Sequence, residues 1–309
     1  MRLIGEARIR DLLPAGSPGR LEASGVVFVG DERAPLAGDG PLLDGRYLVI
    51  CDNLRAVARI GADLTRVAAN DVVWTPPATS SVGYEDIARD PSTGHVFLLI
   101  ESERRGGGGE VGGGRRAGRG EAGRRNGRRS GRAAEGEPLF QARVEEYDAD
   151  LNPIASGWLE YPLARPNKGL EGLELVRRDN DVHLLGLHES GGLLVFRQGR
   201  RNWKHVAAVD LPDDLDLADY SGISIAGRRV ALISQQSATL WVGELAPDTW
   251  SVTGPGSTYR FPRGYCTVEG VCWQGLSTVV VVSDRSKRGS QPASCRAKEE
   301  SLHLFTIDE

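Results

Sequence analysis

The chain has 309 residues, 40% of them apolar and 26% charged, with a net charge of −4. This is enough apolar material for a substantial core, and no stretch approaches the 18 or more apolar residues of a membrane span. The 40 glycines and 16 prolines favour turns over long helices.

The N-terminal segment Leu3 to Leu12 reads as a strand with no partner nearby, and it lacks the apolar stretch of a signal peptide. A cytoplasmic protein is expected, and in that reducing compartment Cys51, Cys266, Cys272 and Cys295 are expected as free thiols; none forms a C-x-x-C pair, which leaves a thiolate metal site as the weaker alternative. Four strands follow, at 24–28, 47–51, 56–60 and 71–75. A second unit reads 85–88, 96–100, 141–147 and 154–161. It is interrupted at 104–134 by an Arg/Gly-rich insertion with ten arginines and a charge of +8. Such a tract buries too little surface to offset its ordering entropy, so disorder is expected there. It has no aromatic residue to stack a base, which makes a nucleic-acid role the weakest of three functional readings. The third unit reads 171–175, 182–187, 193–197 and 203–210, and the fourth 221–225, 230–234, 239–245 and 250–258. The fifth has only 269–273, 278–283 and 302–307.

Each unit opens with a polar residue, in most units followed by Gly, then an apolar run: Ser24-Gly25, Glu85-Asp86, Glu171-Gly172, Ser221-Gly222 and Glu269-Gly270. Without the insertion these recur about every 50 residues, the period of four-stranded propeller blades. The expected fold is all-β: one five-bladed β-propeller over 1–309, closed by the N-terminal strand in the incomplete last blade. A sixth blade would need a sixth such opening, and the sequence has none.

First strands line a propeller's channel, so residues 24, 85, 171, 221 and 269 should surround one mouth. Three carboxylates about 5 Å apart would repel by roughly 3 kcal/mol per pair at an effective dielectric near 20. A cation, raised pKa values or basic neighbours must offset that. Oxygen donors favour a hard cation, so Glu85, Glu171 and Glu269 are expected metal ligands, for Ca²⁺ first and Mg²⁺ second. Plain hydrogen bonding of these glutamates to backbone and water is the competing expectation. The ends of second strands and the entering loops add a rim: Ser24, Ser221, Asp52, Asn53, Glu101, Lys168, Gln235 and Arg285. His188 or Asp284 would serve as general base.

The E-G-apolar strand starts at Glu171-Gly172 and Glu269-Gly270, with Glu85-Asp86 as a variant, resemble the phytase-like and SdiA-regulated propeller families. A looser likeness is to gluconolactonase and strictosidine synthase-like propellers. The resemblance spans most of the chain. It implies a channel-mouth site, calcium in several members, and ester or lactone hydrolysis in some. The chain departs from the pattern in its five units and in its serines at 24 and 221. Two leading expectations follow. One is a Ca²⁺-dependent hydrolase of a phosphoester, lactone or related ester. The other is a non-catalytic monomer that binds a small polar ligand or a protein partner at the same face.

Overall fold

The structure is a computed structural model and describes residues 1–14, 20–30, 45–65, 72–74, 83–105, 139–165, 168–285 and 291–307. After β1 (Arg2–Arg8) and a short helix α1 (Ile9–Leu12), four strands form one antiparallel sheet: β2 (Ala23–Val29), β3 (Arg46–Cys51), β4 (Leu54–Gly61) and β5 (Val72–Trp74). The next eight are β6 (Ile87–Arg89), β7 (Val96–Arg105), β8 (Leu139–Tyr147), β9 (Pro153–Glu160), β10 (Leu170–Arg178), β11 (Asp181–His188), β12 (Leu193–Gln198) and β13 (Trp203–Ala208). They make two four-stranded meanders fused by a parallel pairing of β13 with β9, Trp203 opposite Leu159. A further meander holds β14 (Gly222–Ala226), β15 (Arg229–Ser234), β16 (Thr239–Leu245) and β17 (Val252–Arg260). The last sheet combines β18 (Val268–Gln274), β19 (Thr278–Ser283), β20 (Ser301–Thr306) and the N-terminal β1, with helix α2 (Ala293–Arg296) between β19 and β20.

The first strands of the meanders touch in a closed circuit, β2 to β6 to β10 to β14 to β18 and back to β2. That circuit makes the molecule a β-propeller. The second strands explain why the blades stack. β19 reads Thr-Val-Val-Val-Val-Ser and is buried at every position, as a strand covered on both faces must be. The apolar core accordingly lies between neighbouring sheets: Leu48 and Ile50 of β3 pack with Leu98 and Ile100 of β7.

The recurring glycine has a steric cause. A Cβ on Gly222 would lie 2.4 Å from the backbone oxygen of Glu269, and one on Gly270 would lie 2.6 Å from that of Ser24. Inner strands approach too closely at this level for a side chain. The second unit breaks the rule with Asp86, whose buried carboxyl fills the gap beside Gly25 and accepts hydrogen bonds from Leu173 N (2.7 Å) and Ile87 N (2.8 Å). Gly222→Ala should therefore cost about 1–3 kcal/mol or more by overpacking against backbone. Gly192→Ala, whose new Cβ meets only His188 Cβ at 3.8 Å, is the control. Urea midpoints check both; equal midpoints for the two variants would contradict the tight inner ring.

Three sequence expectations need correction. The N-terminal strand ends at Arg8, because Ile9 and Leu12 turn inward at helical spacing and are buried in the core. Strand β7 runs on to Arg105, so Arg104 and Arg105 pair with Phe140 and Leu139 instead of beginning a disordered tract. The remainder of the Arg/Gly insertion, from 106, lies outside the described residues. Finally, Cys266 and Cys295 form a disulfide with a Cα separation of 5.5 Å, while Cys51 and Cys272 are buried free thiols. The two partners lie 29 residues apart in sequence, and only the β18–β19 hairpin brings them together. Among the described residues, no helix is long and apolar enough to cross a membrane.

Candidate functional site at the channel mouth

Strand starts gather where the repeat placed them. Ser24, Glu85, Glu171, Ser221 and Glu269, one from the start of each inner strand, line a single cavity of about 220 Å³. Gln235 joins them from the end of β15. Glu189, Tyr220, Gln236 and Asp219 complete the wall. Asp219 was not singled out in the sequence, since it precedes the strand start by two residues and lies in an irregular loop. It anchors that wall by accepting hydrogen bonds from Ser234 Oγ and from Gln236 N, the latter at 3.0 Å.

Five carboxyl groups thus face one small cavity. Burial, followed by the charges of Glu85, Glu101 and Glu189, pushes Glu171 well above the usual carboxylate range, with Lys168 opposing. Burial also raises Glu269, helped by Asp284, Asp52, Glu171 and Glu85. Glu269 accepts a hydrogen bond from Gln235 Nε2. One residue deeper, burial raises Asp86 well above its ordinary range, although two backbone N–H groups favour its charged form. Glu101 stands behind the wall. Burial raises it, its Oε1 accepts from Gly169 N at 2.9 Å, and its side chain hydrogen-bonds that of Glu171.

The other rim residues stand outside the cavity wall. Lys168 pairs with Glu189 at 2.9 Å. Asn53 Oδ1 accepts from Glu22 N at 3.2 Å, and its Nδ2 donates to Arg20 O at 3.3 Å. Arg285 lies 3.9 Å from Glu300. Asp52 and Asp284 contribute through charge on Glu269. His188 does not line the cavity; its Nδ1 lies 2.8 Å from Ser190 Oγ. Among the described residues, no group of three or more His, Cys, Asp or Glu is arranged to hold a metal ion. The carboxyls surround the space without converging on one point.

A Ser–His–carboxylate chain does occur elsewhere. Ser283 Oγ lies 2.9 Å from His303 Nε2, and His303 Nδ1 lies 2.8 Å from Glu6 Oε2. Ser283 and His303 are both 0% exposed. No substrate reaches this serine, so the chain is a structural link between β19, β20 and β1.

No family model and no curated protein matches the chain. Among solved structures, the major allergen Mala s 1 of Malassezia sympodialis is 12% identical with a TM-score of 0.51, over 96% of this chain and 81% of that one. The PQQ-bound aldose sugar dehydrogenase of Streptomyces coelicolor is 13% identical with a TM-score of 0.44, over 97% of each chain. Glutaminyl cyclase of Myxococcus xanthus is 11% identical with a TM-score of 0.48, over 99% of this chain and 97% of that one. At such identities, likeness speaks for fold alone, and the allergen is the one of the three similar enough to carry that argument. The inner-strand circuit and this likeness together make the chain a β-propeller with an acidic channel mouth.

Proposed function

We propose that the channel mouth is a binding site for a cation accompanied by a small polar ligand. The observation that carries this reading is the set of half-buried glutamates, Glu85, Glu171 and Glu269, held against one cavity by inner strands that cannot move apart. Their mutual repulsion is built into the fold, and a positive charge in the cavity relieves it. Ca²⁺ is the first cation to test, as the resemblance to phytase-like and SdiA-regulated propellers implies. Because the carboxyls do not converge, selection rests on charge more than on a ready coordination sphere. Hydrolysis of a phosphoester, lactone or related ester is the second reading. It is supported by the raised Glu171 and Glu269, since a carboxyl that burial makes hold its proton more tightly is suited to act as a general acid.

Added Ca²⁺ at millimolar concentration should raise the melting temperature by mass action. Glu171→Gln should abolish that rise. The sign of the pH effect follows from the raised Glu171. Its folded form holds the proton more tightly than the unfolded chain does, so its contribution is fully present below about pH 4.5 and is lost as pH rises through the folded value. Glu171→Gln should thus be more stable than the parent at pH 7 and should lose that advantage below about pH 4.5. If calorimetry finds no Ca²⁺ or Mg²⁺ binding and the variant melts like the parent at both pH values, the glutamates are structural.

A further inference from the structure

The opposite ends of the same five inner strands enclose a second, larger cavity of about 690 Å³. Its wall takes Val27 and Phe28 from β2, Arg89 from β6, Leu175 from β10, Ala226 from β14 and Trp273 from β18. The volume falls within the range of small-molecule pockets, which runs from roughly 300 to 1,000 Å³. Its chemistry is the reverse of the acidic mouth. Most of the wall is aliphatic or aromatic. Its one acidic group, Glu174, has both oxygens engaged, Oε1 by Leu175 N at 2.8 Å and Oε2 by Ile225 N at 2.7 Å. Arg177 is neutralised by Asp90, with Nε 3.1 Å from Oδ1. That leaves Arg89 in the wall, and Arg229, whose guanidinium lies 4.8 Å above the Trp273 ring, beside it. Three arginines, Arg89, Arg177 and Arg229, thus stand against two carboxylates, Glu174 and Asp90, which leaves one positive charge in excess at this end.

A guanidinium beside an apolar space is complementary to a negatively charged head on an apolar body. We infer that the far mouth of the channel binds a small amphipathic organic anion, such as a carboxylate or sulfonate with an aliphatic or aromatic tail. The tail would lie against Val27, Phe28, Leu175 and Ala226, and the head would face Arg89.

The inference goes beyond the acidic mouth and does not depend on it. The test uses the full chain and the fluorescent anion 8-anilinonaphthalene-1-sulfonate. Its fluorescence should rise along a saturable one-site curve while near-ultraviolet circular dichroism stays native. Decanoate should displace the dye, and decyltrimethylammonium should not. Arg89→Gln should weaken dye binding about tenfold or more, as expected for a lost charge-assisted hydrogen bond. Ala226→Trp should fill the cavity and abolish binding. Glu171→Gln should bind the dye as the parent does, whatever its response to Ca²⁺. The inference is overturned by a non-saturable signal, by equal displacement with the cationic surfactant, or by unchanged affinity in Arg89→Gln. Full binding by an Ala226→Trp protein that melts like the parent would overturn it as well. Should Ala226→Trp fail to fold, Arg89→Gln and the surfactant pair decide the matter.

Discussion

Removal of Met1 to Leu12 should cost more than about 5 kcal/mol of stability, the largest loss expected from any change considered for this molecule. The truncation strips β1 from the edge of β20, a pairing that runs from Arg2 opposite Thr306 to Arg8 opposite Ser301. It also withdraws Ile9 and Leu12, which are 1% and 5% exposed, from the core. Burial of each such side chain is worth roughly 1.5–3 kcal/mol. A polar loss adds to this. Glu6 accepts hydrogen bonds from Lys298 Nζ at 2.6 Å and Tyr265 Oη at 2.9 Å, and it lies 2.8 Å from His303 Nδ1. Burial pushes Glu6 upward, but the hydrogen bonds from Lys298, Tyr265 and His303 outweigh it and hold the carboxyl below its usual range. Burial likewise pushes His303 down to about 4, so it sits in the seam as a neutral ring. Without Glu6 that buried imidazole loses its Nδ1 partner. Denaturant melts of the truncated protein give the loss directly, and a synthetic peptide of residues 1–12 should restore part of it by re-adding the strand. An unchanged midpoint would mean that the N-terminus does not close the ring.

Reduction of the Cys266–Cys295 disulfide should cost about 3–4 kcal/mol, as the loop-entropy relation gives for partners 29 residues apart. The bond holds α2 against the segment that enters β18. Lys298, just past that helix, donates to Glu6 and lies 5.2 Å from the centre of the Tyr265 ring, so the disulfide braces the same seam as β1. Urea midpoints with and without dithiothreitol should differ for the parent and coincide for Cys266→Ala/Cys295→Ala. Thiol titration in denaturant without reductant should count two groups, Cys51 and Cys272. A count of four would show that the bond does not form in the folded protein. Disulfides persist in oxidising compartments, whereas the N-terminal sequence led to a cytoplasmic expectation, so the same count bears on where the protein works.

The propeller and its acidic mouth were legible in the sequence because both derive from a local pattern repeated at one spacing. The inner strands pack so closely that Gly is required at one level, and a polar residue precedes it at the mouth. Steric demand and solvent exposure thus write the same two-letter signal at Ser24-Gly25, Glu171-Gly172, Ser221-Gly222 and Glu269-Gly270. The incomplete fifth unit told, likewise, that a strand must come from elsewhere, and β1 supplies it. What the tertiary structure alone decided involves groups with no fixed separation along the chain. Asp219 reaches the cavity from an irregular loop, His188 turns aside to Ser190, and Glu101 meets Glu171 across neighbouring blades. The disulfide joins residues whose spacing matches no motif, and the fused β9–β13 edge pairs the outer strands of two units. The far cavity is the clearest case. Its wall residues fall at the ends of five strands with no shared chemistry, so no repeat announces them, and only closing the ring sets Arg89, Trp273 and Thr278 around one space.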